Sequence, residues 1–233
     1  YIDKTVISDF EDKFDCRIIY ETFDSNEIMY TKYMSGNSYD VLVPSEYMIE
    51  RMIKEDLLQP VDKSLIPNLD NINEGILGQS FDLSNNYWVP YFCGNVGILY
   101  DKTVVDEKDL EAGWSILRNT KYKNQIYMYD SERDSFMVAL KALGYSMNTT
   151  KEREINEAYQ WLLEQREEMN PVYVGDESID TMISGVKAMA IMYSGDAAAV
   201  MSENPNMGYY MPKEGTNVWF DGFVISKECK TCK

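Results

Sequence analysis

The stretch Asn217-Val218-Trp219-Phe220-Asp221-Gly222-Phe223-Val224-Ile225 sets an indole and a carboxylate two residues apart on a run with the composition of a buried strand. Side chains at i and i+2 leave a strand on the same face, so Trp219 and Asp221 point the same way. Such a pair suits an organic ammonium ion: the ring face attracts positive charge and the carboxylate accepts a charge-assisted hydrogen bond. A core Trp followed by a surface Asp satisfies the same spacing. Acids recur at other strand ends, beside an aromatic as Glu46 with Tyr47 and Asp196 with Tyr193, and as the acid pair Glu132 with Asp134. Four such groups on one edge of α/β sheets are hard to obtain from packing alone.

The elements that must position them follow from periodicity. Val6, Phe10 and Phe14 predict a helix over 4–14, and Cys16 to Thr22 a strand. The capping-box spacing Asp24 to Glu27 opens a second helix. Tyr39 to Pro44 predicts a buried parallel strand, and Ser45 caps a third helix. Helix, strand, helix, strand, helix is the order of an α/β sheet with crossovers, in which ligands bind outside the carboxyl ends of strands. Ser45, Glu46 and Tyr47 fall at such an end.

Farther on, the apolar pattern predicts strands over 87–94 and 96–100, joined at Gly94. Further strands are predicted over 125–129, 172–174, 186–193 and 208–211. Helices are predicted over 112–117, 135–143, from a Thr149 cap to about Met169, over 179–183 and from Ser194.

The chain has 233 residues and a formal charge of −17, with no basic run and no His. Nucleic acid is excluded as a partner, since a phosphate backbone requires the opposite sign, whereas a cationic solute would be drawn in. No His is present to serve as general base, and there is no Gly-rich phosphate loop or nucleophile elbow, so a binding protein rather than an enzyme is expected, with no cofactor and no metal site. Paired acids could act as a glycosidase couple, but nothing fixes their separation. Cys229-Lys-Thr-Cys232 lacks the further ligands that zinc needs, and reads as incidental surface thiols.

Ser25-Asn-Glu-Ile-Met-Tyr30, Tyr39-Asp-Val-Leu-Val-Pro-Ser-Glu-Tyr47, Ser131-Glu-Arg-Asp-Ser-Phe136, Leu143-Gly-Tyr-Ser146 and Pro212-Lys-Glu-Gly215 before Trp219-Phe-Asp221 resemble the spermidine/putrescine-binding proteins of ABC importers, in the same order along nearly the whole chain. The resemblance implies a periplasmic-binding-protein type II fold: two α/β lobes joined by crossover hinge strands, with an N-lobe of 1–97 plus 224–233 and a C-lobe of 98–223. It implies that Tyr1, Tyr47, Tyr193 and Trp219 line the polyamine methylene chain, Tyr193 standing where Trp is usual. Asp134 and Asp221 match the acids that hold terminal ammonium groups, Ser45 a serine of the N-lobe wall, and Asp196 an acid of putrescine-specialised relatives. Ser131 stands where spermidine-preferring members carry an acid, for which Glu132 or Asp196 could substitute.

The expected function is capture of putrescine or spermidine in an interlobe cleft, for delivery to the permease subunits of an ABC transporter. The expected location is extracytoplasmic, periplasmic or cell-surface, with membrane association of the full-length lipoprotein. The resemblance further implies a chain trimmed of the family's leading strand and C-terminal portion, with exposed apolar surface open to swapping or dimerisation. The alternatives are a related receptor for another small solute, such as an amino acid clamped by Arg133, or a structural fragment without a ligand.

Overall fold

In the computed structural model, residues 2–23, 25–175 and 177–230 are described. The chain divides into two compact units, Tyr1–Pro90 with Gly222–Lys233, and Tyr91–Asp221.

In the first unit, α1 (Lys4–Phe14) forms where the sequence places it, capped by Asp3, whose carboxylate accepts from the Thr5 amide at 2.8 Å. None of its residues is buried, and Val6, Phe10 and Phe14 stand exposed. The expected strand over 16–22 does not form: these residues carry no regular structure and Ile19 is 91% exposed. Alternation makes a strand only where a neighbour completes the hydrogen-bond ladder. α2 (Asn26–Met34) is capped by Ser25, which accepts from the Ile28 amide at 3.2 Å; Asp24, the expected cap, lies outside the described residues.

β1 is only Val41–Leu42, and it pairs antiparallel, not parallel, with β8, described below. α3 (Glu46–Lys54) follows directly and buries Met48, Ile49 and Met52, the i, i+1, i+4 face that amphipathic spacing predicts. β2 (Leu58–Gln59) also pairs antiparallel with β8. Residues 63–76 make three short 3-10 turns, in keeping with their Asn, Asp and Pro content.

A single strand, β3 (Trp88–Asp101), runs through Gly94 where two strands were expected. In the second unit, its later half pairs antiparallel with β6 and β7, while β4 runs parallel to both β5 and β6, giving the order β7-β3-β6-β4-β5. Between these strands lie α4 (Glu107–Leu110), a 3-10 stretch (Gly113–Arg118), β4 (Ile126–Tyr129), α5 (Glu132–Ala142), α6 (Glu152–Met169), β5 (Val172–Val174), α7 (Ser178–Ile183), β6 (Met189–Tyr193), α8 (Ser194–Glu203) and β7 (Met207–Tyr210). β8 (Val218–Ser226) is the last strand among the described residues.

All four residues of β4 are buried, as a central parallel strand requires. One face of the sheet packs Ile98, Met128 and Ile191 with Trp114, Met137 and Leu140, and the other packs Leu99, Ala190 and Met192 with Met182 and Val200. α5 begins three residues earlier than its apolar pattern suggests, because Ser131 caps it. α6 is entered through Lys151 rather than Thr149, whose hydroxyl donates to Glu154 Oε2 at 2.6 Å. Cys229 is buried and disulfide-bonded, against the expectation of a surface thiol, while Cys16 and Cys93 are exposed and free. Cys232 lies outside the described residues.

Candidate functional site

The second unit gathers the predicted acid and aromatic residues at the carboxyl ends of β4 and β6, as crossover topology dictates. β4 ends at Tyr129 and α5 starts at Glu132, so Asp134 sits in the first helical turn. Ser131, the N-cap, accepts from the Asp134 amide at 3.3 Å and its hydroxyl donates to Asp134 Oδ2 at 3.0 Å. Asp134 is 4% exposed. The Tyr193 hydroxyl donates to the same oxygen at 2.8 Å, and Asn217 Nδ2 donates to Oδ1 at 3.4 Å.

Every one of those donors is neutral, and among the described residues Asp134 makes no ion pair. An ionised carboxylate removed from water without a counter-ion costs several kcal/mol, which a cationic ligand would recover.

Aromatic rings build the walls. Tyr129 is buried and stacks on Tyr193, centroids 4.6 Å apart at 27°, and its hydroxyl accepts from the Tyr193 amide at 3.0 Å. Trp219 meets Tyr193 edge-on at 5.8 Å and 78°. The Trp219 indole N–H is buried and has no acceptor among the described residues. Such electron-rich faces beside an acid suit an alkylammonium group.

The remaining predicted residues of this unit lie near in sequence to that cluster. Asp196 is half-buried in the first turn of α8, and Asp221 is half-buried two residues past Trp219 on β8. Glu132 and Arg133 are exposed on α5, opposite in character to the buried Asp134 that follows them.

In the first unit, Ser45 precedes α3 but makes no side-chain cap. Instead its hydroxyl accepts from Asn26 Nδ2 at 3.0 Å and its amide donates to Asn26 Oδ1 at 2.9 Å, tying the start of α3 to α2. Glu46 is the first residue of α3, and the Tyr47 hydroxyl donates to Glu27 Oε1 at 2.9 Å. Tyr1 lies outside the described residues.

Asn217 and Tyr129 were not singled out from the sequence. Asn217 stands two residues before Trp219, so the alternation that pairs Trp219 with Asp221 reaches it as well. Tyr129 is the last residue of β4, a strand-end position like the others.

A separate hollow of about 700 Å³ on the second unit is lined by Arg118, Arg153, Trp161 and Glu164. Its guanidinium at 118 is already bonded to Glu164 and Glu168, and none of the predicted residues lines it. We place the site at Asp134, where acid, aromatic faces and strand ends coincide.

Comparison with known proteins gives the family. The profile described as bacterial extracellular solute-binding protein matches residues 5–233. The chain belongs to that family. It is a family of solute-binding transport proteins, not of enzymes. The chain is 32% identical over 236 residues to the spermidine/putrescine-binding periplasmic protein of Salmonella typhimurium, covering 99% of this chain and 66% of that relative. It therefore spans just under two thirds of the length of the curated relative.

Among solved structures, the spermidine/putrescine ABC transporter substrate-binding protein of Streptococcus pneumoniae matches with a TM-score of 0.79 and 39% identity over 97% of this chain and 70% of that one. The Tp0655 lipoprotein of Treponema pallidum matches with a TM-score of 0.85 and 27% identity over 97% and 72%. The mixed α/β architecture is thus the type II fold of these binding proteins. No helix among the described residues is long and apolar enough to cross a membrane.

Proposed function

We propose that this chain is a polyamine receptor of an ABC importer, capturing putrescine or spermidine outside the cytoplasm and delivering it to permease subunits. The observation that carries the reading is Asp134: a buried carboxylate held by three neutral donors, beside the Tyr193 and Trp219 rings, with no cationic partner among the described residues. The names of the relatives at 32% and 39% identity point to the same ligands. In this reading Asp134 holds one terminal ammonium group and the rings of Tyr193 and Trp219 cover methylenes. Asp196, Asp221 and Ser131 supply further polar contacts from the second unit, and Ser45, Glu46, Tyr47 and Tyr1 are carried as ligand-binding residues by the resemblance alone. The protein's role is binding, without catalysis, and the chain's charge of −17 raises the local concentration of a polycation.

Calorimetric titration of Asp134→Asn with putrescine tests this. Removing one partner of a buried ion pair costs roughly 2 to 5 kcal/mol, so binding should fall by a factor of about 30 or more. Affinity within about threefold of wild type, in protein shown to be folded, would refute the assignment.

A further inference from the structure

The acceptor capacity of Asp134 can be followed oxygen by oxygen. An ionised carboxylate offers about four acceptor positions, two on each oxygen. Oδ2 receives two O–H donors, Ser131 at 3.0 Å and Tyr193 at 2.8 Å. Among the described residues Oδ1 receives only Asn217 Nδ2, at 3.4 Å, the long end of hydrogen bonding. The vacant capacity therefore lies on one oxygen.

Both donors on Oδ2 are fixed by second attachments. The Ser131 hydroxyl is also the N-cap acceptor of α5. The Tyr193 ring is stacked on Tyr129 and lies in a T-shaped pair with Trp219, and its amide is bonded to the Tyr129 hydroxyl.

We propose that the Tyr193 hydroxyl is a specificity-determining group: by filling Asp134 Oδ2 it leaves a one-oxygen seat that admits a primary ammonium and refuses a guanidinium. The inference rests on the polyamine reading and narrows its ligand class. An ammonium is a compact charge with three rotatable donors, so a single open oxygen and a ring face satisfy it. A guanidinium binds a carboxylate through two parallel N–H donors, one to each oxygen, and here one oxygen already holds two hydroxyls. A side chain without a hydroxyl at 193 would leave Oδ2 able to take that second N–H.

The test titrates the full chain and Tyr193→Phe with putrescine and with 1,4-diguanidinobutane. The second compound presents a guanidinium at both ends, so it cannot turn an ammonium toward Asp134. Wild type should bind the diguanidine about tenfold or more weaker than putrescine, the size of one lost charge-assisted hydrogen bond. In Tyr193→Phe that ratio should shrink by about fivefold or more, even if both affinities drop.

Ser131→Ala empties the same oxygen from its other side and should move the ratio in the same direction, which keeps the test decisive if one variant folds poorly. An unchanged ratio in folded variants overturns the inference and leaves the polyamine reading standing. Wild-type protein that binds neither putrescine nor spermidine overturns both, and where spermidine alone binds it replaces putrescine as the reference ligand.

Discussion

A Cβ placed on Gly94 would lie 2.5 Å from Cζ2 and 2.9 Å from Cε2 of Trp219, closer than real side chains approach one another. The indole is therefore seated directly against the β3 backbone, and the absence of a side chain at 94 is what gives it room. The same Cβ would meet Ser194 Oγ at 2.9 Å, and that hydroxyl accepts from the Asn95 amide at 3.3 Å. Gly94 is thus a positioning residue for the aromatic wall.

Gly94→Ala should displace the indole from the Tyr193 ring. Overpacking of this kind costs about 1 to 3 kcal/mol, part of which should appear as lost polyamine affinity rather than lost stability. Adding Trp219→Phe, which removes the colliding ring atoms, should restore the melting temperature of Gly94→Ala without restoring full affinity. If Gly94→Ala binds putrescine like wild type, the ring is not seated as described.

Asp221 shares the strand face of Asn217 and Trp219 by alternation, and we assign it a second ammonium group. Asp221→Asn keeps the shape and removes the charge. A desolvated cation left without its partner should weaken putrescine binding by roughly 2 to 5 kcal/mol, read by titration calorimetry. Unaltered affinity would remove Asp221 from the site while leaving Asp134 in it.

Glu154 gives a prediction for acid stability. Its carboxyl is held below the ordinary glutamate value of 4.5, first by the Thr149 hydroxyl and then by the Lys151 ammonium at 2.9 Å. A folded-state pKa below the unfolded one contributes stability that is present above the unfolded value and is lost as pH falls through the folded value. Stability should therefore decline from about pH 5 downward, and Glu154→Gln should be less stable at neutral pH with a shallower acid limb. Parallel limbs for the two proteins in denaturant melts between neutral and acid pH would contradict this.

Much of the second unit was legible in the sequence, because its central strands β4 and β6 are buried and run parallel, with helices packed on both faces of the sheet. The run over 125–129 became β4, Val186 to Tyr193 yielded β6, and the acids after each strand fell in the first turns of α5 and α8. Trp219 and Tyr193, singled out at separate strand ends, lie with ring centroids 5.8 Å apart.

What escaped the sequence is tertiary. Cys16 to Thr22 has a strand's alternation but no partner strand among the described residues, and β1 is antiparallel because its partner is β8, from the far end of the chain. That the Tyr193 hydroxyl would reach Asp134 could not be read from spacing, since 59 residues separate them. The hydrogen bond exists because β4 and β6 are neighbours in the sheet.

A negative field draws a polycation from a distance, while a buried ion pair holds it, and salt separates the two. Raising salt well past physiological strength shortens the screening length from about 8 Å to about 3 Å at 1 M, so the association rate should fall several-fold while the buried contacts persist. Stopped-flow fluorescence should show the loss mainly in the on-rate. A loss confined to the off-rate would mean that the charge of −17 plays no part in capture.

The most direct measurement is calorimetric titration of the folded chain with putrescine and with spermidine, at two salt concentrations, with an amino-acid mixture as control. Saturable binding of one or both polyamines, near one site per chain and with no heat from the amino acids, is the result predicted here. Heat from the amino acids alone, or from none of the three, would contradict the polyamine receptor assignment.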